Sequence, residues 1–257
     1  MRKKLLQAAF VILTLFTFVS CNTGKASSNV VYQDKGFSIS ETRIGDAESI
    51  QWTKLPIPDD RIQDSTPSLD VDGDQLPIPS PNAGDFPFSL TISVPVNDNS
   101  ANIFELKSQY FIGNGKAVLE KNGEIIWEGF MDGGTGLPVQ SFLNFNGEII
   151  FGYTDYSRPA QNQAMEYVVY SAGDKTVVIK SAFVPSVIMG EAIYFQRVDN
   201  QVFVARNGRR IGEPYDSILQ ACCGYEAKYG VLHNEKVVDF FAVRNQDWYH
   251  VQVGFKP

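Results

Sequence analysis

The chain has 257 residues, and its 29 acidic residues outnumber its 22 basic residues to give a formal net charge of −7. A chain of this length can bury the core of one ordinary domain. The acidic balance argues against a nucleic-acid partner, because nucleic-acid-binding proteins need clustered Lys and Arg side chains to neutralise phosphates.

The first 20 residues have the pattern of an export signal. Arg2, Lys3 and Lys4 precede an uncharged and largely apolar run over residues 5–20. This run is shorter than the about 20 apolar residues that a membrane-spanning helix requires, and it ends in a small residue, as a cleavage site does. We therefore expect residues 1–20 to be a signal peptide, and no later stretch is apolar enough for another membrane crossing.

The run ends in Phe18-Val19-Ser20-Cys21, which resembles the lipobox of bacterial lipoproteins. The resemblance implies cleavage after Ser20 and a diacylglyceryl thioether on Cys21. The resulting anchor would have two or three acyl chains (diacylglycerol with palmitate), and it would bind a membrane stably, whereas a single acyl chain binds only marginally. It places the protein in the cell envelope, outside the cytoplasm, and Asn22 implies the outer membrane if the source is Gram-negative. The alternative is an ordinary signal peptide with a chance cysteine.

Removal of the signal makes the chain more acidic. Three of the 22 basic residues and none of the 29 acidic residues lie in the segment 1–20, so the remaining 237 residues carry a formal charge of −10. This charge disfavours close contact with anionic lipids, and we expect the lipid on Cys21, not the protein surface, to hold the protein on the membrane. Residues 21–29 are mostly small and polar, and we interpret them as a tether.

Residues 30–95 combine an N-terminal strand with a Pro/Asp-rich irregular segment. A hairpin is predicted from Val30 to Ile39, with Asp34-Lys35-Gly36 as its turn. Eight of the 13 prolines lie between residues 55 and 95, and proline disfavours regular strands because it lacks a backbone N–H. The segment ends in alternating apolar residues, which predict a strand around residues 86–94.

Residues 96–257 consist of β-rich runs divided by Asn-Gly and similar turns, with no clean helical period. Runs centred near residues 111, 151, 195 and 241 follow one another at steps of 40, 44 and 46 residues. We predict an all-β fold, a β-propeller-like array of four-stranded repeats in which the strand over residues 30–39 completes the last repeat. An antiparallel β-sandwich of hairpins is the alternative.

The last two repeats carry a family resemblance. Residues 207–216, Asn-Gly-Arg-Arg-Ile-Gly-Glu-Pro-Tyr-Asp, followed by the strand pair over residues 236–251, resemble degenerate WD40-like or TolB-type propeller repeats. The Trp-Asp dipeptide of those repeats is missing. The resemblance implies scaffolding and envelope interactions, and it assigns no catalytic residue.

Two adjacent cysteines remain if Cys21 is lipidated. Cys222 and Cys223 would form a strained vicinal disulfide in an oxidising compartment, and strained disulfides are readily reduced. A redox-sensing structural lipoprotein is one hypothesis that follows. The alternative is a pair of small apolar side chains on a strand.

A calcium site is the strongest cofactor candidate. Asp70, Asp72 and Asp74 place carboxylates at alternate positions, where they can converge on a hard cation. Gly73 at the fourth position and Pro81 at the twelfth exclude an EF-hand, so a solvated acidic loop is the alternative. Zinc spacing of His or Cys is absent, and we expect a structural or surface role for His250 and a turn near His233.

Carboxylates and aromatic residues leave two functions open. Motifs for a nucleophile elbow, a phosphate loop or a dinucleotide site are absent. We therefore favour a non-catalytic module that binds an envelope protein or glycan, with a carboxylate-dependent glycan hydrolase as the alternative. The candidate acids of a hydrolase are Asp132, Asp155, Asp199, Asp216 and Asp239, most of them expected in turns. Aromatic residues are dense in this part of the chain and could stack on sugars, although filling the space between repeats is the simpler interpretation. They are Trp127, Tyr153, Tyr156, Tyr194, Tyr215, Tyr225, Tyr229, Trp248 and Tyr249.

Overall fold

The structure is a computed structural model that describes residues 28–61, 75–76, 88–97, 99–109, 115–131, 139–155, 165–173, 175–220 and 228–255. These residues form 19 strands and include the 3-10 turn Trp52–Lys54, without any α-helix. The all-β prediction is confirmed. Within the described ranges, no helix is long and apolar enough to cross a membrane.

The strands form four antiparallel sheets, which we number in chain order. Sheet I comprises β4 (Phe88–Asn97), β5 (Ser100–Gln109), β6 (Gly115–Lys121) and β7 (Glu124–Met131). Sheet II comprises β8 (Val139–Phe145), β9 (Glu148–Asp155), β10 (Met165–Ala172), β11 (Lys175–Lys180) and the short β3 (Gln75–Leu76), which pairs with β8. Within each of these two sheets, consecutive strands from β4 to β7 and from β8 to β11 are hydrogen-bonded neighbours.

The second half of the chain repeats this meander. Sheet III comprises β12 (Ala182–Ile188), β13 (Glu191–Val198), β14 (Gln201–Arg206) and β15 (Arg209–Tyr215). Sheet IV comprises β16 (Ser217–Ile218), β17 (Leu232–His233), β18 (Val237–Arg244) and β19 (Asp247–Phe255), together with β1 (Asn29–Asp34) and β2 (Phe37–Asp46) from the start of the chain. The four-stranded organisation of the repeats is thus present, with extra strands in sheets II and IV.

The predicted starts of the repeats are displaced by one strand. Positions 151, 195 and 241 lie in β9, β13 and β18, which follow an earlier strand of the same sheet. Position 111 lies outside the described residues. Strand β4 also crosses the boundary that the sequence suggests at residues 95–96, because its first residues already pair with β5.

The N-terminal and C-terminal strands meet in sheet IV. Strand β2 pairs with β19 along its whole length, from Phe37 opposite Phe255 to Asp46 opposite Asp247. The hairpin of β1 and β2 turns at Lys35 and Gly36, both with positive φ. The predicted hairpin, and its addition to the last repeat, are therefore confirmed.

Consecutive sheets pack face to face in chain order. One buried cluster joins sheets I and II through residues such as Phe104 and Phe151, and another joins sheets II and III through Val168 and Tyr194. A further cluster joins sheets III and IV through residues such as Phe195 and Phe240. Each sheet between the ends of the series is thus covered on both faces, which is why inner strands such as β9 and β13 contain continuous apolar runs.

Asparagine fixes two of the tight turns. Asn122 and Asn207 begin two-residue turns with φ of 51° and 46°, and a glycine with positive φ follows each. The side-chain oxygen of Asn122 accepts a hydrogen bond from the Ile103 amide at 3.0 Å, and that of Asn207 accepts one from the Ala192 amide at 2.8 Å. These side chains therefore tie the turn between the third and fourth strands to the second strand of the same sheet.

Candidate functional site

The outer face of sheet IV holds a buried polar cluster formed by Arg61, Asp239 and His250. Asp239 lies in β18 and His250 in β19, on the face that points away from sheet III. Arg61 follows the strap, by which we mean residues 47–60 that run from the end of β2 across this face. The three residues are at most 4% exposed, so their polar atoms need partners inside the protein.

Asp239 receives hydrogen bonds on both carboxylate oxygens. The Arg61 guanidinium forms a buried ion pair with its Oδ1, and the Nε2–H of His250 donates to its Oδ2 at 2.8 Å. The Gln252 amide also reaches Oδ2, at 3.3 Å. Asp60 lies on the other side of the imidazole ring, with its Oδ1 3.9 Å from Nδ1 of His250.

Backbone carbonyls satisfy the rest of the Arg61 guanidinium. Its Nε donates to the Lys228 carbonyl at 3.0 Å, its Nη2 donates to the Gly230 carbonyl at 2.6 Å, and its face stacks on the Phe241 ring at 4.4 Å. Burial lowers the pKa of Arg61, and the Asp239 carboxylate opposes that shift. The guanidinium thus joins β18 to the residues that precede β17.

An aromatic cluster secures the strap beside these polar groups. Leu55 packs with Tyr229, Phe241 and Trp248. The indole N–H of Trp248 donates to the Ile50 carbonyl at 3.1 Å, and the Tyr229 hydroxyl donates to the Thr53 carbonyl at 2.7 Å. The strap therefore covers the outer face of sheet IV as part of the folded core.

A second polar cluster lies between sheets III and IV. The Tyr215 hydroxyl donates to Glu41 Oε1 at 2.7 Å, and Arg244 binds both Glu41 oxygens. Tyr215 and Tyr249 pack against the Arg244 guanidinium at 5.4 and 5.0 Å. Burial and the neighbouring Glu41 carboxylate raise the pKa of Tyr215, so the hydroxyl keeps its proton and its bond.

Both clusters hold the fold together and offer little free chemistry. Asp239 and Glu41 are 0% and 3% exposed, and both bind arginine. A general acid or a nucleophile needs access to its substrate and a proton or lone pair that is free to react. The oxygens of Asp239 and Glu41 instead bind arginine and neighbouring donors inside the fold.

Several predicted site residues lie outside the described residues. These are the lipidation candidate Cys21, the disulfide candidates Cys222 and Cys223, the calcium candidates Asp70, Asp72 and Asp74, and also Asp132, Tyr156 and Tyr225. Within the described ranges, no group of three or more His, Cys, Asp or Glu residues could hold a metal ion.

The other predicted acids and histidines have separate positions. Asp199 has positive φ and lies in the turn between β13 and β14. Asp216 follows β15, and its side chain accepts a hydrogen bond from the backbone N–H of Asn245. His250 has the predicted structural role. His233 lies at the end of β17 just before the turn, and burial lowers its pKa. The structure brings none of these into one site except Asp239 and His250.

The described aromatic candidates mostly fill the interior. Six are at most 9% exposed: Trp127, Tyr153, Tyr194, Tyr215, Tyr229 and Trp248. Their rings pack against residues of neighbouring strands and sheets, as in the contact of Trp127 with Phe151 at 5.4 Å. The simpler interpretation, that they fill the space between repeats, is therefore confirmed for Trp127, Tyr153, Tyr194 and Tyr215, whereas Tyr229 and Trp248 pack beneath the strap on the outer face of sheet IV.

Sequence reasoning missed Arg61 as the partner of Asp239. The two residues are 178 positions apart, and Arg61 stands in the Pro/Asp-rich segment that the sequence presents as irregular. The available signal was Asp239 itself, a charged residue inside the apolar strand run of residues 237–241. A carboxylate in such a run requires a buried cation or several donors.

No family model matches the chain, and neither a curated protein nor a solved structure is significantly similar to it.

Proposed function

We propose that the chain is a lipid-anchored lipoprotein of the bacterial cell envelope whose β array is a non-catalytic binding or scaffold module. The observation that carries this proposal is the N-terminal sequence, in which a charged start and an apolar run end in Phe18-Val19-Ser20-Cys21. A thiol at that position is the nucleophile that a thioether anchor requires.

The position of the first strand supports the anchor. Strand β1 begins at Asn29, with seven residues between it and Cys21. Cleavage after Ser20 would therefore remove none of the described fold. The β2 strand that follows pairs with β19 and contributes Phe37 and Ile39 to the core.

The order of the sheets supports a propeller-like array. Sheets I to IV follow one another in the chain and in space, and the N-terminal strand β2 is added to the last sheet. Both features are typical of propellers, in which each repeat forms a blade and the first strand joins the last blade. A layered sandwich of four sheets has the same contacts, so this finer architecture is part of the proposal.

One end of the array offers a surface for a protein partner. Turns of different sheets meet there: the Asn102 amide donates to the Gly147 carbonyl at 2.8 Å, and the Asn146 amide donates to the Gly190 carbonyl at 2.8 Å. Exposed apolar side chains accompany these turns, namely Val96 at 51%, Ile103 at 39%, Ile125 at 58% and Met189 at 60%. Apolar side chains with a polar surround are typical of protein-binding surfaces, whereas the buried aromatic residues do not favour sugar stacking.

The anchor is tested with the wild-type protein and a Cys21→Ala variant, both expressed in a bacterium. We expect wild type to gain the mass of a diacylglyceryl group and further acyl groups and to sediment with membranes, whereas the variant accumulates uncut or soluble. Intact mass spectrometry and membrane fractionation measure both properties. An identical, cleaved and unlipidated product from both genes would contradict the proposal.

A further inference from the structure

We propose that the outer edge formed by β1 and β15 lies against an anionic membrane surface when Cys21 carries lipid, an inference that rests on the anchor proposed above. The two strands are the outermost strands of sheets IV and III. They adjoin each other, because a Cβ atom on Gly212 of β15 would lie 3.8 Å from Cβ of Tyr32 in β1 and 2.8 Å from Ile39 in β2. They therefore form one continuous edge of the array.

The start of this edge is apolar. Val30 is 48% exposed and Val31 is 37% exposed, although both belong to a paired strand. A register shift between Val30 and Tyr32 marks a bulge there, which hinders the addition of a further strand from another chain. A lipid interface accepts such side chains without requiring strand pairing.

The rest of the edge is basic in an otherwise acidic protein. Lys35, Arg209 and Arg210 are exposed. Of the two exposed acids on these strands, Asp34 is 3.3 Å from Arg206, which also binds Glu191 in an ion pair, whereas Glu213 lies further along β15. The edge thus has a local positive excess, although the chain without its signal carries a formal charge of −10. Strand β11 also has exposed lysines, Lys175 and Lys180, so the lipid anchor beside β1, together with this local charge, leaves the β1 and β15 edge towards the membrane.

The length of the tether keeps the edge near the lipid. The seven residues between Cys21 and Asn29 can span at most about 30 Å when fully extended. Strand β1 adds only about 20 Å from Asn29 to the turn at Lys35. Because the chain leaves the lipid and enters the array at this strand, the tether holds β1 and the adjoining β15 close to the membrane.

Hydrogen exchange of the lipidated full chain tests the inference. The protein is placed in vesicles of phosphatidylcholine with phosphatidylglycerol, in vesicles of phosphatidylcholine alone, and in detergent, and intact mass first verifies the lipid. The test variant combines Val30→Ser with Arg209→Glu and Arg210→Glu. The matched control combines Val178→Ser with Lys175→Glu and Lys180→Glu on β11, an outer strand of sheet II whose corresponding side chains are also exposed.

We expect amides of β1 and β15 in wild type to exchange more slowly in anionic vesicles than in detergent, while β11 exchanges alike in both. In the test variant, the slowing of exchange in β1 and β15 should fall by about fivefold for each basic side chain that is reversed. The control variant should keep the slowing seen in wild type. Equal exchange of β1 and β15 in vesicles and detergent, with lipid present, would overturn this inference and leave the anchor intact. A protein without lipid on Cys21 would overturn the anchor and the inference together.

Discussion

At the scale of single residues, Arg61 and Asp239 matter because neither has access to water. Their side chains are 1% and 0% exposed, and removal of one partner from such a pair leaves an uncompensated buried charge. We expect Arg61→Met to lower the free energy of unfolding by about 3–5 kcal/mol. Urea denaturation followed by circular dichroism measures this change.

A double variant separates the lost charge pair from lost packing. Asp239→Asn removes the remaining charge and keeps an acceptor for His250. The double variant, Arg61→Met with Asp239→Asn, should therefore lose less free energy of unfolding than the two single variants lose together, by at least about 1 kcal/mol. Arg43 provides the comparison, since its bridge to Asp247 is 60% exposed at the arginine, and Arg43→Met should have a much smaller effect than Arg61→Met. Additive single effects at Arg61 and Asp239 would contradict the coupling.

At the scale of elements, the turn asparagines join three strands of a sheet. Asn122→Ala removes the hydrogen bond to the Ile103 amide and places a less tolerant residue at a φ of 51°. We expect a loss of about 1–2 kcal/mol in the free energy of unfolding. Asn122→Asp should retain most of the stability, because aspartate keeps the acceptor and tolerates positive φ. If urea denaturation shows both variants equally destabilised, the Asn122 oxygen does not tie the turn to β5.

These turns also explain how far the fold could be predicted. Asn122-Gly123 and Asn207-Gly208 specify hairpins locally, so their positions follow from the sequence. The grouping of hairpins into sheets depends instead on which loop crosses to the next sheet, and the length of a connection does not reveal this, because one residue separates β11 from β12 of the next sheet whereas nine separate β9 from β10 of the same sheet. Strand β12 illustrates the difficulty, since it contains Pro185, a bulge between Phe183 and Ser186, and positive φ at Val184. It lacks the alternation that marks a strand, and without it the repeat predicted near residue 195 starts one strand too late.

The polar clusters were less predictable than the hairpins for a related reason. Burial of Arg61, Asp239 and His250 requires the strap to return across sheet IV, and this contact joins distant parts of the chain. Local propensity carries no information about such pairing. The sequence could indicate that Asp239 needs a partner, but it could not identify which cation among 22 would supply it.

At the scale of the whole molecule, the N-terminal hairpin divides into a strand that the core needs and a strand that it does not. Strand β2 places Phe37 and Ile39 in the interior, at 0% and 1% exposed, and pairs with β19 throughout. Strand β1 has no buried residue, and only Tyr32 is half-buried. Two deletions of the full chain, Δ29–34 and Δ29–46, both keep the signal, Cys21 and residues 22–28 and therefore compare the two strands directly.

We expect Δ29–34 to fold with a modest loss of thermal stability and Δ29–46 to fail to fold. Loss of two large core side chains alone costs about 2–5 kcal/mol each, and β19 would also lose its ladder of hydrogen bonds, against a typical total stability of about 5–15 kcal/mol. Limited proteolysis and thermal circular dichroism of the two proteins measure the difference. A folded, protease-resistant Δ29–46 would show that β19 can remain an edge strand and that the meeting of the chain ends is dispensable. A folded Δ29–34 that keeps its lipid would show that the core does not need β1. The two exposed valines of β1 would then be explained by its proposed contact with the membrane surface.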